Sequence, residues 1–524
     1  MIPILTATNI SKEFISTEPL GLFKRSTKKT AALNNISFSI EKPTVLAVIG
    51  ANGAGKTTLL KLLLGLVEPT KGEIKLLGYD PYRERKKIIN QLGFVSGQKR
   101  MLNPDLTAYD YISVSSLFYE LEPQEIETRL HHLSELFEVT HRLHSLVRNL
   151  SLGETIKFEI IASIIHKPRV LFLDEPTIGL DFSSQSTIVS LLKQYHEEEN
   201  VTILLTSHYA KIFKLFPKNS LGSRKVKSYI MMILTISIHT QIVKGTAIYK
   251  HSMKNLPAMP NAKNSPLYRW FRYFHMNYKA FTAYRFNTAS YLLTQVVTLV
   301  GTMTIWYYSI SNGATGISLS EIITYYIVGQ LVILQLSPHW SIAEDIQTGK
   351  FSNKLLRPEG VWMSYLIEDL GVNAFTNCVK IVLSGGLIVL LLAYISKPSN
   401  LVVLVLFGAS IGVAYSIELM ISYISSFLTF YTINSHGILE LFGQIKSFCS
   451  GWFFPLNLVW FTRPLLYLPF AFTYYYPMQI YLEKYSIQES LMILGYGVAV
   501  AVVLFLIASW IYWDGLRRYE SVGL

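Results

Sequence analysis

The sequence predicts two unlike halves: an α/β domain with a largely parallel sheet, followed by an all-α polytopic membrane domain. Three observations predict them. Short apolar runs, TVLAVIG at 44–50 and VLFLDE at 170–175, alternate with helix-period stretches up to about residue 208. A glycine-rich loop stands between the first of these runs and the helical LLKLLLGL. From about Phe286 the chain changes into long apolar runs parted by short polar breaks, and a membrane span needs about 20 apolar residues. With 524 residues, 50% hydrophobic and 13% aromatic, the chain is neither disordered nor a purely soluble enzyme.

The net charge of +12 suggests an acidic partner until it is placed along the chain. Residues 1–199 carry 23 basic and 23 acidic side chains, 200–320 carry 14 basic and none acidic, and 321–524 carry 10 basic and 12 acidic. One acid-free stretch therefore holds the whole excess. Beside a membrane half, its natural neighbour is the anionic cytoplasmic leaflet, and no nucleic-acid partner is expected. Cys378 and Cys449 both lie in apolar runs, cannot make a disulfide framework, and read as buried small hydrophobes.

In the first half, the loop Gly50, Ala51, Asn52, Gly53, Ala54, Gly55, Lys56, Thr57, Thr58 has the strand, loop, helix setting of a phosphate-binding loop. Its glycines let backbone N–H groups turn in around phosphate oxygens, and the helix N-terminus adds its dipole. Lys56 is placed to neutralise β/γ-phosphate charge and Thr57 to ligate Mg²⁺. The run VLFLDE delivers Asp174 and Glu175 at the C-terminal end of a strand, the edge at which α/β sheets bind ligands. Asp174 suits the Mg²⁺ shell and Glu175 suits polarisation of an attacking water.

Further motifs accompany these two. Leu150, Ser151, Leu152, Gly153 and Glu154 lie about 20 residues before the Asp-Glu pair, Gln98 follows the run GFVS, Gly179, Leu180 and Asp181 follow the pair, and His208 ends VTILLTSH. In this order and spacing, residues 4–208 resemble the nucleotide-binding domain of ABC transporters, an α/β P-loop NTPase fold. The resemblance implies ATP and Mg²⁺ as cofactors. It implies that Phe14 stacks on adenine, that Gln98 links Mg²⁺ to the membrane domain, and that His208 contacts the γ-phosphate. Ser151 and Gly153 would grip the nucleotide of the opposite subunit, with Asp181 at the dimer seam. The chain departs from the common LSGGQ signature by reading LSLGE, which keeps Ser151 and Gly153. It departs further after His208, where 209–264 is basic, acid-free and unlike the family. The apolar run SYIMMILTISIHTQIV within it reads as an irregular strand or interfacial segment in preference to a seventh membrane helix, and a rearranged junction is a third reading.

The expected domains are thus 1–208, a basic connector at 209–264, and a six-span domain at 265–524. The spans fall at about 287–310, 321–338, 372–395, 400–420, 441–460 and 490–513. Arg269, Arg272, Lys279 and Arg285 before the first span place that end in the cytoplasm, and Arg517 and Arg518 do the same for the C-terminus. No signal peptide opens the chain, so the N-terminal domain is expected in the cytosol of a cell with this protein in its inner or plasma membrane. The apolar stretch 464–480 reads as a re-entrant or interfacial hairpin, and 267–286 as an amphipathic interfacial helix or the first turns of the first span. Lys380, Glu418, Glu440 and Lys446 are the charges within spans.

The domain order resembles an ABC half-transporter of the type-two exporter class. It implies an ATPase working as a homodimer, or with a related half-transporter, in the lipid bilayer on an unknown exported substrate. The loop 344–360 most resembles the permease family that accompanies ATPases of this kind, and is read as the coupling element that contacts the Gln98 region. The alternative is a mechanotransmission or non-hydrolysing regulatory membrane protein.

Overall fold

The computed structural model describes residues 3–19, 25–97, 100–208, 232–236, 265–281, 285–311, 317–332, 339–432, 436–458 and 460–522. They form two compact units. One contains Met1–Met276, Gly349–Val361 and Glu520–Leu524, the other Asn277–Thr348 and Trp362–Tyr519.

The first unit holds two sheets. Strands β1 (Leu5–Pro19), β2 (Arg25–Ile40) and β4 (Lys71–Leu76) form an antiparallel sheet in the order β2-β1-β4. Strands β3 (Val45–Ile49), β5 (Leu92–Ser96), β6 (Val170–Asp174), β7 (Thr202–Ser207) and β8 (Met232–Ile236) form the second, in the order β5-β6-β7-β3-β8. Its first four strands are parallel, and β8 runs antiparallel to β3. Every residue of β3 and β7 is buried, which is why these strands read as unbroken apolar runs and not as alternating ones. The parallel register matters for the site. Ile49 lies opposite Ser207, and Asp174 lies between Ser96 and Thr206, so the residues that follow β3, β5, β6 and β7 all emerge at one edge.

Strand β8 falls inside the segment read as a connector. The strand reading of that apolar run therefore matches 232–236, and the sheet extends beyond residue 208; the rest of 209–264 lies outside the described residues.

Helix Pro266–Phe281 covers the stretch read as interfacial. Its buried Tyr273 and its Trp270 meet Phe118 edge-on at ring distances of 5.7 and 4.9 Å, while Leu267 and Phe271 remain exposed.

In the second unit, Val361–Leu390, Leu401–Tyr431 and Ile487–Arg517 are, among the described residues, the helices long and apolar enough to cross a membrane. They contain most of the third, fourth and sixth expected spans. The first expected span matches the 27-residue helix Arg285–Ser311. The second begins as helix Leu319–Val332, and 333–338 lie outside the described residues.

The fifth differs from its expectation. The run 441–460 is not one helix, because His436–Cys449 ends before Gly451, whose φ is 88°, and Pro455 follows. Fourteen helical residues reach about 21 Å, short of a hydrocarbon core of about 30 Å. The stretch after it forms short 3₁₀ segments, Trp460–Tyr467 and Pro469–Thr473, and the helix Tyr475–Tyr481. Cys449 is buried as expected, but Cys378 is exposed, since it faces away from the buried Asn373, Thr376 and Lys380 of its own helix.

Candidate nucleotide site

The sheet edge assembles the site from four strand ends. After β3, the chain enters the glycine-rich loop, with Gly53 and Gly55 at φ of 80° and 85°. Those left-handed conformations favour glycine. At Gly55 a Cβ would also come within 2.5 Å of the Ala32 carbonyl oxygen, so the loop is held against β2. Gly50 donates its N–H to the Ser207 carbonyl at 3.4 Å, which fixes the loop's start to β7. Lys56 and Thr57 open the helix Lys56–Leu63, Thr58 is buried beneath it, and Asn52 and Gly53 are exposed.

Lys56 is folded down onto the loop, its Nζ donating to the Gly50 and Ala51 carbonyls at 2.9 and 3.0 Å and lying 3.4 Å from Glu175 Oε1. Glu175 leaves β6 at φ 48°, a left-handed conformation that a non-glycine residue seldom adopts, and its N–H donates to Thr206 Oγ1 at 2.9 Å. Its other oxygen, Oε2, is 2.9 Å from His208 Nδ1. Glu175 therefore lies between the Lys56 ammonium and the His208 ring.

Asp174 Oδ1 accepts from Thr57 Oγ1 at 3.1 Å and from Thr206 Oγ1 at 2.7 Å. Burial pushes the Asp174 carboxyl above its usual range, an effect these two hydroxyl donors oppose. A hard, oxygen-preferring divalent cation suits this pair, because a threonine hydroxyl and a carboxylate converge there from two different elements. Thr206 Oγ1 joins the Asp174 carboxylate to the Glu175 backbone N–H, and only its place in the run LLTSH, just before His208, marked it in the sequence.

Gln98 lies outside the described residues, but Gly97 is next to it and donates its N–H to the Asp174 carbonyl at 2.8 Å. A Cβ on Gly97 would stand 1.9 Å from the Glu175 carbonyl oxygen, so the stretch entering Gln98 is pressed against the acidic pair.

Ser151 is the N-cap of helix Leu152–Ile164 in a reciprocal capping box: Glu154 N–H donates to Ser151 Oγ at 3.2 Å, and Ser151 N–H donates to Glu154 Oε2 at 2.8 Å. This accounts for Glu154 in the position of the usual glutamine, since either residue closes such a box. The Ser151 N–H, with help from Arg142, holds the Glu154 carboxyl below its usual range. A Cβ on Gly153 would meet nothing nearer than Leu180 at 3.9 Å, so this backbone is open to close approach. Asp181 is exposed and caps helix Phe182–Glu199 by accepting from the Ser184 N–H at 3.0 Å. Phe14 is 6% exposed, with the Lys12 ammonium 5.2 Å from its ring centre.

A five-stranded sheet that gathers a phosphate loop, an acidic pair and a histidine at one edge defines a nucleotide-hydrolysing P-loop domain. Residues 33–178 match the ABC transporter family model, and residues 292–523 match the model of the ABC-2 family transporter protein. The chain is 32% identical over 186 residues to the ABC transporter ATP-binding protein NatA of Bacillus subtilis, covering 36% of this chain and 75% of that one. It is 33% identical to the linearmycin resistance ATP-binding protein LnrL of the same species, over 36% of this chain and 59% of LnrL. It is 32% identical to the zinc import ATP-binding protein ZnuC of Rickettsia conorii, over 39% and 76%. Among solved structures, cbiO1 from Clostridium perfringens matches at 26% identity and a TM-score of 0.34, over 40% of this chain and 79% of that one.

The chain belongs to the ABC transporter family. It carries an ATP-binding ATPase domain and an ABC-2 membrane domain in one polypeptide.

Proposed function

We propose that the protein is an ATP-driven exporter working as a homodimer in the inner or plasma membrane, with its ATPase domain and both termini in the cytoplasm. The observation that carries the catalytic part is Glu175, held between Lys56 at 3.4 Å and His208 at 2.9 Å. In this reading Glu175 is the general base that polarises the attacking water, His208 contacts the γ-phosphate, and Lys56 leaves the Gly50 and Ala51 carbonyls to meet the β- and γ-phosphates. Thr57 and Asp174, with Gln98, would hold Mg²⁺, which when bound neutralises phosphate charge. Phe14 is assigned to adenine; its ring is buried with the Lys12 ammonium over it, so stacking on a base requires the ring to be uncovered.

Stoichiometry supports the dimer. Each chain matches one ATPase model and one membrane model, and the ATPase domains of this family generally work as dimers within membrane transporters. The open backbone at Gly153 with the exposed Ser151 and Asp181 suits a nucleotide held by the opposite subunit. Direction is proposed from the fusion of an ATPase with an ABC-2 membrane domain. The ATPase relatives do not decide it, since they include both a zinc import protein and a linearmycin resistance protein.

Glu175→Gln is the test. Turnover in lipid nanodiscs should fall by about 10³-fold while ATP binding is retained. Hydrolysis at the wild-type rate would remove Glu175 as the base. For the transport reading, reconstituted vesicles should show ATPase stimulation by at least one member of a panel of amphiphiles; a flat response to all of them, with basal ATPase present, would favour mechanotransmission instead.

A further inference from the structure

Glu159 lies in the interior of the helix that begins at Ser151, surrounded in sequence by the fully buried Phe158, Ile160 and Ile161, and is itself 3% exposed. An apolar residue would pack there at lower cost, because a buried carboxyl needs compensating partners. Half of that compensation is visible. Oε1 accepts from the backbone N–H groups of Met101 and Leu102 at 2.7 and 2.9 Å, in the stretch just after Gln98. Oε2 is buried and takes no hydrogen bond within the described residues.

Arg357 and Arg100 both act electrostatically on this carboxyl. Arg357 comes from the 349–361 segment, which belongs to the same compact unit as the ATPase residues. Its side chain is 12% exposed, its guanidinium donates to Tyr111 Oη and stands 5.5 Å from that ring's centre, and Glu359 Oε1 is 3.4 Å away.

We propose that Glu159 is a positioning residue that ties the backbone following Gln98 to the Ser151 helix and takes Arg357 as its counter-charge, so that a shift of the 349–361 segment moves both together. The proposal rests on the reading of 344–360 as the coupling element. The mechanics are simple: a helix transmits displacement along its axis, and the eight residue steps from Ser151 to Glu159 span about 12 Å of it. One carboxylate thus joins three parts that otherwise have no covalent proximity.

Its ionisation supplies a signature. Burial pushes the Glu159 carboxyl up to about 7, against the two N–H donors and the nearby arginines. Tyr111 beside it, and the buried groups Tyr119 and His166 of the same unit, titrate elsewhere. Tyr111 is pushed up to about 12 and Tyr119 higher still, and the buried His166, stacked on Tyr119 at 3.8 Å, is lowered to about 4. Glu359 is also raised by burial, so it needs its own control.

The experiment uses the full chain in lipid nanodiscs with Mg-ATP. Wild-type kcat should fall about fivefold as pH drops through about 7, where Glu159 takes up its proton, with KM for ATP changed less than about twofold. Glu159→Gln keeps an acceptor oxygen for the two N–H groups but loses the charge, so its profile should be flat there. Glu359→Gln should keep the inflection. Arg357→Met should match Glu159→Gln, and the double variant should be no worse than either. An inflection that persists in Glu159→Gln, or losses that multiply in the double variant, would overturn the proposal.

A second readout does not depend on hydrolysis. Hydrogen exchange at the Met101 and Leu102 amides should accelerate at least tenfold in Glu159→Ala and stay near wild type in Glu159→Gln; equal protection in both variants would also overturn it. If Glu175→Gln hydrolyses normally while the exchange pattern holds, the base assignment fails and this one stands.

Discussion

The two units differ in where they put exposed apolar surface and buried polar groups. In the ATPase unit the strands β3 and β7 bury every side chain and only their ends present polar groups, so polarity is concentrated at one edge. In the membrane unit, beside a buried apolar cluster that includes Ile322, Tyr325 and Val328, many apolar residues face outward: Val382, Val389 and Leu390 are 72 to 79% exposed, and only 11% of the most apolar window of Ile487–Arg517 is buried. One helix keeps a line of polar residues inside. Asp369, Asn373, Thr376, Lys380 and Ser384 are all buried, and their spacing of three and four places them on one face of helix Val361–Leu390. Asn373 donates to Asp369 at 2.9 Å, and Lys446 pairs with Glu418 at 2.5 Å. The contrast shows that exposure has a different meaning in each unit, because the solvent that each set of surfaces is matched to differs.

Four substitutions or titrations test the contrast, from the largest effect down. Leu204→Asp puts an unpaired charge in the middle of β7. A cost of more than about 5 kcal/mol should abolish the cooperative melting of the ATPase unit, and a variant that melts normally would show that the sheet interior is not as dry as its burial implies. Val502→Lys changes a residue that is 54% exposed. In a membrane it should still cost about 3 kcal/mol in an insertion assay. Glu73→Lys, exposed on the ATPase unit, should cost less than about 0.5 kcal/mol in a melting assay. Equal small effects at Val502 and Glu73 would place that face in water.

The third test is a titration of two buried groups. His166 is lowered to about 4, so an unfolded chain binds its proton below about 6.5 while the folded one does not, and stability from this residue is lost as pH falls from about 6.5 to 4. Glu159 is raised to about 7, so it has the opposite slope, with stability falling as pH rises from about 4.5 to 7. Each amounts to about 3 kcal/mol, and together they leave a flat profile across most of that range. Melting of Glu159→Gln in detergent should therefore become acid-sensitive, and melting of His166→Asn should become more stable on acidification; an unchanged flat curve in both would show that neither group is buried as described.

Apart from the near-neutral Glu73 control, the smallest effect belongs to the Lys446 and Glu418 pair, whose side chains are 27% and 14% exposed. Lys446→Met alone should cost about 1 to 2 kcal/mol by leaving Glu418 without its cation, and adding Glu418→Met should recover most of it.

The readable parts of the sequence were those in which a few neighbouring residues decide the outcome. The loop from Gly50 to Thr58 and the pair Asp174 and Glu175 could be placed because glycine spacing and an apolar strand carry the information locally. Glu154 read as a departure from a motif, whereas the capping box it closes with Ser151 is an equally local reason for it. Thr206, Glu159 and Arg357 were not legible as a set, because the strand register and packing that bring them to their partners involve segments distant in sequence. The run 441–460 is interrupted in sequence by Pro455, and the structure ends its helix earlier still, before Gly451. Cys378 was misjudged because an apolar neighbourhood in a membrane helix does not say which side is buried.

Strand β8 has a practical consequence. It covers the outer side of β3 over the whole length from Val45 to Ile49. A recombinant ATPase fragment stopped at His208 would leave the strand that feeds the phosphate loop as a naked, apolar edge, ready to pair with the same edge of another molecule. Soluble, monomeric preparations of this half should therefore need the chain to run through Ile236, and precipitation of the shorter fragment would be a symptom of the missing strand and not of a defective nucleotide site.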